Sequence, residues 1–195
     1  TSTPGDVLPP QTVTVQEAGG TSSWTVTITG DTVARRTAAA ALVLDRWGDV
    51  LMTNRGVGPL LHGVDPDLLA APNAYRIGLH PGGLLARVRE PTGWIAHLGH
   101  RLERALRWRG DPRLAALQRE IRGYPGVAEV LDARPDPSAQ ELLLTVALVD
   151  PDGDLAFHSA LTTFGGPHDV TLAELAVESF FPADAATRER LASAA

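Results

Sequence analysis

Apolar and polar positions alternate with period two near the start of the chain, take up a helical period through its middle, and alternate again towards its end. Residues 1–11 are a Pro/Ser/Thr leader. Val13 and Val15, then Trp24, Val26 and Ile28, each fall on every second position, separated by the turn-forming stretch from Glu17 to Ser23. That pattern predicts a β-hairpin. Residues 30–40 turn polar and then alanine-rich, a linker or short helix. Two short apolar runs follow, Ala41–Leu44 and Val50–Met52, with Asp45-Arg-Trp-Gly-Asp49 between them. They predict two strands joined by a tight turn, in which the aspartates bond their own downstream backbone.

Between residues 54 and 123 the period is helical. Asn54 opens a stretch to Leu61 that Gly56, Gly58 and Pro59 weaken. Asp65-Pro66 and Asp111-Pro112 each place an aspartate cap before a proline at the first helical position, and Asn73 caps a short helix that ends at His80. The longest helix follows Thr92 and carries Ile95, Leu98, Leu102, Ala105 and Leu106 on one stripe, with Arg101, Arg104 and Arg107 largely outside it. After Asp111-Pro112 the stripe is Leu114, Leu117 and Ile121, and Gly123 stops it. Residues 132–140 read as a loop. Leu142–Val149, the turn Asp150-Pro-Asp-Gly153 and Leu155–Phe164 then form a long hairpin. Residues 171–181 fit either element: a capping box favours a helix, while a strand would put Leu175, Val177 and Phe181 on one face and both glutamates on the other. Strands, a block of helices and strands again suggest an antiparallel sheet with helices packed on one face, an α+β layer.

Composition narrows the function. A chain of 195 residues with 44% hydrophobic and 21% charged positions can bury a core without covalent staples. Cysteine is absent, which excludes disulfides, thiolate metal sites and cysteine nucleophiles. All 17 basic residues are arginine, the coding bias of a GC-rich bacterial genome, so the arginines carry little functional weight by themselves. The net charge of −6 opposes binding to nucleic acid or anionic lipid. No membrane span or signal peptide is visible, which points to the cytoplasm.

No catalytic set stands out. His97 and His100 share a helix face without a third ligand, His158-Ser159 lacks a nucleophile elbow, and Gly82-Gly83 lacks the context of a phosphate loop. Glu174 and Glu178, four apart, read as a solvated face. No metal and no cofactor is expected. Nor does the chain contain a helix-turn-helix unit, a zinc finger or a basic stripe interleaved with aromatics. The arginines from Arg101 to Arg109 form one basic face, as expected of a solvated helix or a domain contact.

Three stretches resemble a known family. Ala41–Asn54 (ALVLDRWGDVLMTN), Gly110–Leu117 (GDPRLAAL) and above all Thr162–Asp184 (TTFGGPHDVTLAELAVESFFPAD) are similar to the MmyB-like ligand-binding domain of bacterial transcription regulators. The resemblance covers residues 41–195, leaving 1–40 as leader, hairpin and linker. It implies a PAS-like fold, with a five-stranded antiparallel sheet and helices enclosing a pocket, and it makes 171–181 a strand. In that family an Xre-type helix-turn-helix module precedes the domain. Residues 1–40 show no trace of one, so DNA would be reached only through a module absent from this chain.

The expectation is therefore a small-molecule sensor, binding an apolar or amphipathic ligand between sheet and helices. Trp47, Met52, Asn54, Trp94, Leu98 and Phe157 are the expected lining residues, with core packing the plainer role for the apolar ones and helix capping for Asn54. A stand-alone enzyme or carrier that reuses the fold is the competing reading, and a dimerisation module the third. The hairpin's apolar face needs cover from the domain or from a second copy in a homodimer.

Overall fold

The computed structural model describes residues 11–16, 23–28, 40–133, 144–163 and 175–194. The first hairpin pairs β1 (Gln11–Gln16) with β2 (Ser23–Ile28) antiparallel, setting Val13 opposite Val26 and Val15 opposite Trp24.

The main sheet begins with β3 (Ala40–Leu44) and β4 (Val50–Thr53). Asp45 makes the turn between them, its Oδ1 accepting the N–H groups of Trp47 and Asp49 at 2.9 Å each. Gly48 adopts φ +84°, a left-handed conformation that favours glycine. A 3-10 turn (Arg55–Val57) runs into α1 (Gly58–Leu61), then come α2 (Pro66–Ala70) and α3 (Ala74–Leu79). Asp65 caps α2 through the Asp67 N–H at 3.0 Å, and Asn73 caps α3 through Tyr75 and Arg76. A second 3-10 segment (Leu84–Arg87) leads to α4 (Pro91–Arg109), which Gly110 ends with φ +59°. Asp111 then caps α5 (Pro112–Arg122), and α6 (Val127–Asp132) follows the left-handed Gly126.

The remaining strands are β5 (Leu144–Leu148), β6 (Leu155–Thr163) and β7 (Ala176–Pro182), and α7 (Ala185–Ala194) closes the described chain. The five main strands form one antiparallel sheet in the order β4-β3-β7-β6-β5. The expected α+β architecture, five antiparallel strands with helices and a preceding hairpin, is what the chain adopts. Of the residues 171–181 that the family resemblance makes a strand, 176–181 are one, continuing to Pro182, while 171–174 lie outside the described residues. Pairing on both edges satisfies their backbone and outweighs the local helical signal.

Strand alternation divides the side chains between two faces. Leu42, Phe157 and Phe180 join Val146 and Leu148 on the face that packs against Ile77, Trp94, Leu98 and Leu102 of the helices. Ala41, Val43 and Met52 form a separate buried cluster with Leu51 and Val177. The loop expected over residues 132–140 lies largely outside the described residues.

A cavity between sheet and helices, with a buried ion pair at its wall

The inner sheet face and the helices do not close on each other completely. They enclose a cavity of about 1250 Å³, bounded by Leu42, Thr53 and Phe180 of the sheet, by α1 to α3, and by Trp94 and Leu98 of α4. The deep walls are buried and apolar: Leu60, Ile77, Leu84, Trp94 and Leu98. The rim is exposed and includes Arg55, His62 and Gly63.

Local chemistry sets each wall. Trp94 donates its indole N–H to the Gly78 carbonyl at 2.8 Å, which fixes the ring and ties α4 to α3. Gly78 permits that approach, since a β-carbon there would sit 2.5 Å from Leu98 Cδ1. Asn54 makes no side-chain cap to the turn that it precedes. Its backbone N–H bonds the Ala41 carbonyl and its Oδ1 accepts the Ala41 N–H, both at 3.0 Å, so it prolongs the β3–β4 pairing along the cavity edge.

Asp150, in the turn between β5 and β6, organises the support of the rim. Its side chain is 1% exposed and takes Arg87 and Arg190 at 2.8 Å each, with His62 Nδ1 at 3.3 Å. Burial opposes ionisation of Asp150, but the bonds from Arg190 and His62 and the Asp152 N–H prevail and hold its pKa down to about 2. Arg87 also donates to the carbonyls of Leu60 at 2.8 Å and His62 at 2.6 Å, pinning the rim loop from beneath. Burial lowers the Arg87 pKa, and Asp150 offsets part of that.

The feature that sequence reasoning missed is Glu178. It lines the cavity and is 4% exposed, not solvated. Arg101 Nη1 donates to its Oε2 at 2.9 Å and Ser159 Oγ to its Oε1 at 3.2 Å. Arg101 is likewise buried, so it does not lie outside the apolar stripe of α4. It stands three residues after Leu98 and seven after Trp94, which places it on the same helix face. Burial disfavours its charge, but Glu178 and Tyr75 together raise its pKa. The neighbouring His97 is pushed down by burial first and by Arg101 second. The pairing could not be read locally, because the partners lie 77 residues apart.

Of the residues expected to line a pocket, Asn54, Trp94 and Leu98 border this cavity. Trp47 lies at the β3–β4 turn, where its indole N–H reaches Asp111 at 2.8 Å and Arg46 and Arg113 cover its ring. Met52 belongs to the Ala41–Val43 cluster, while Phe157 is fully buried and meets Phe180 edge-on at 6.2 Å. His158 and Ser159 are neighbours on a strand and point to opposite faces; His158 contacts Thr145 and Ser159 contacts Glu178. Among the described residues no three His, Asp or Glu side chains converge to hold a metal.

Residues 30–194 match the family model of the MmyB-like transcription regulator ligand binding domain. The chain belongs to this family. The match starts earlier than the resemblance at 41–195, and it takes in the stretch between the hairpin and β3. No curated protein matches the chain. No helix among the described residues is long and apolar enough to cross a membrane. The family model describes a ligand-binding unit of transcription regulators, which supports a sensing role for this domain.

Proposed function

We propose that this MmyB-like domain binds an apolar or amphipathic small molecule in the cavity between its sheet and α1–α4, as the sensing half of a bacterial transcription regulator that touches DNA through another module. The PAS-like reading of the fold rests on the five antiparallel strands with helices folded over that space. The observation that carries the proposal is the cavity itself. Its volume of about 1250 Å³ exceeds the roughly 300–1,000 Å³ of most small-molecule sites, and Trp94, Leu98 and Ile77 supply apolar walls beside few polar groups. Trp94, Leu98 and Asn54 are the ligand contacts we assign, with the deep walls taking the apolar body.

Native mass spectrometry of the purified chain, followed by a thermal-shift screen, tests this. A ligand selective for the folded state stabilises it by about 2.7 kcal/mol at a hundredfold excess over its dissociation constant. For a domain of this size that is roughly 5–10 °C in Tm. Leu98→Trp, which fills the cavity, should abolish the shift while the unliganded protein still unfolds cooperatively. Undiminished binding by Leu98→Trp would place the site elsewhere. Turnover of the bound molecule would favour the enzyme reading instead.

A further inference from the structure

Among the described residues that line the cavity, Glu178 is the one buried ionisable side chain, and a strand delivers it. Glu178 faces inward from β7, paired across the ladders with Leu42 on one side and Leu161 on the other. Its two anchors, Arg101 and Ser159, do not line the cavity; Glu178 does. The cation thus reaches the carboxylate from outside the cavity lining. The other ionisable lining residues, Arg55 and His62, sit at the exposed rim.

A carboxylate has about four lone-pair sites, and the donors from Arg101 and Ser159 occupy two. We propose that Glu178 is the polar recognition point of the cavity, and that the domain selects ligands whose apolar body carries a hydrogen-bond donor, a hydroxyl or a protonated amine, while rejecting those with an anionic head. The inference rests on the cavity being the ligand site. Its physical basis is the asymmetry of buried polar groups. A donor brought against Glu178 replaces the water that it lost, whereas an anion there meets a like charge with little solvent to screen it. The Arg101 guanidinium anchors this carboxylate at 2.9 Å, so its position at the wall is set before a donor arrives.

Three probes of one chain length decide the matter: octan-1-ol, octylamine and octanoate, titrated into the 195-residue chain by calorimetry near neutral pH. Octanol and octylammonium should bind at least tenfold more tightly than octanoate. Glu178→Gln should cost octylammonium about tenfold, leave octanol within about threefold and narrow the gap to octanoate. Because this change strands Arg101, the double variant Arg101→Met/Glu178→Gln should repeat the result with both charges gone. The ranking in the unmodified protein stands even if neither variant folds. Octanoate binding as tightly as the alcohol, or a ranking unchanged by Glu178→Gln, overturns the role of Glu178 and leaves the cavity as the site. Binding of none of the three overturns the cavity reading and this inference with it.

Discussion

Gly78 and Gly83 lie five residues apart, yet replacing each by alanine should have opposite consequences. At Gly78, inside α3, a new β-carbon would sit 2.5 Å from Leu98 Cδ1 and 3.5 Å from Trp94 Cζ2. The first of these is the tip of a flexible side chain that borders empty space, so it can turn into the cavity. Removing a glycine from a helix interior contributes about 1 kcal/mol. Pushing leucine off its rotamer costs roughly 0.5–1.5 kcal/mol. The two nearly cancel, and Gly78→Ala should unfold within about 1 kcal/mol of the parent. At Gly83 the added methyl would overlap the Ile77 carbonyl oxygen and lie 3.2 Å from that of His80. Both belong to a backbone that cannot rotate aside, and the Gly83 N–H is itself bonded to His80 at 2.8 Å. Overpacking of this kind costs roughly 1–3 kcal/mol, and here the upper end applies because backbone must move. At 2–4 °C per kcal/mol, Gly83→Ala should lose roughly 6–12 °C in Tm while Gly78→Ala stays within about 4 °C. Circular dichroism melts and urea titrations of both variants measure this directly. Gly78→Ala should also weaken any cavity ligand, since Leu98 now occupies part of its space. Equal losses of stability would show that Leu98 cannot yield, and the cavity wall would have to be rigid.

Three other outcomes follow from the same geometry. Asn73 caps α3 and donates to the Trp47 carbonyl at 3.1 Å and to Asp49 at 2.8 Å, so Asn73→Ala should cost about 3 kcal/mol, a cap plus two part-buried bonds, read by urea denaturation; a loss under 1 kcal/mol would refute it. The Asp150 carboxyl titrates at about 2 in the folded protein against 3.8 ordinarily, so its stabilisation is complete above about pH 4 and is lost as the pH falls towards 2. Melts from pH 7 to 2 should show that loss, and Asp150→Asn, destabilised at neutral pH, should converge on the parent in acid. Finally, this acidic chain should bind duplex DNA weakly or not at all near physiological salt, and sub-micromolar binding in a fluorescence titration would contradict that.

How much of this could be read from the residues depended on the range of the interaction concerned. Asp65, Asn73 and Asp111 mark helix starts because a cap is a bond to the next two or three residues, and all three act as caps. The turns at Asp45 and Asp150 are equally local, each aspartate accepting from the N–H two residues on. The wall between Asn54 and Ala70 was harder, because Gly58 and Pro59 blur the period where the chain changes from a 3-10 turn to a single helical turn. The short α6 left no periodic trace. Which face of the sheet a side chain occupies was illegible: Met52 and Thr53 are adjacent, and only the register with β3 sends Met52 to the Val43 cluster and Thr53 to the cavity. Glu178 and Arg101 escaped for a related reason. Charge patterns assign both to solvent, and only the meeting of β7 with α4 buries them together.

The strand order also dictates a timetable. β7 sits in the middle of the sheet between β3 and β6, although it comes last among the strands along the chain. During synthesis β3 with β4, and β5 with β6, can zip up as hairpins, but each must wait with an open hydrogen-bonding edge until residues 176–182 arrive. Pairing across more than 130 residues, as between Val43 and Val177, is slow to find, and open edges invite association with other chains in the meantime. The same late strand delivers Phe180 and Glu178 to the cavity. A nascent or truncated chain lacking it therefore keeps two open sheet edges and a cavity whose wall is unfinished.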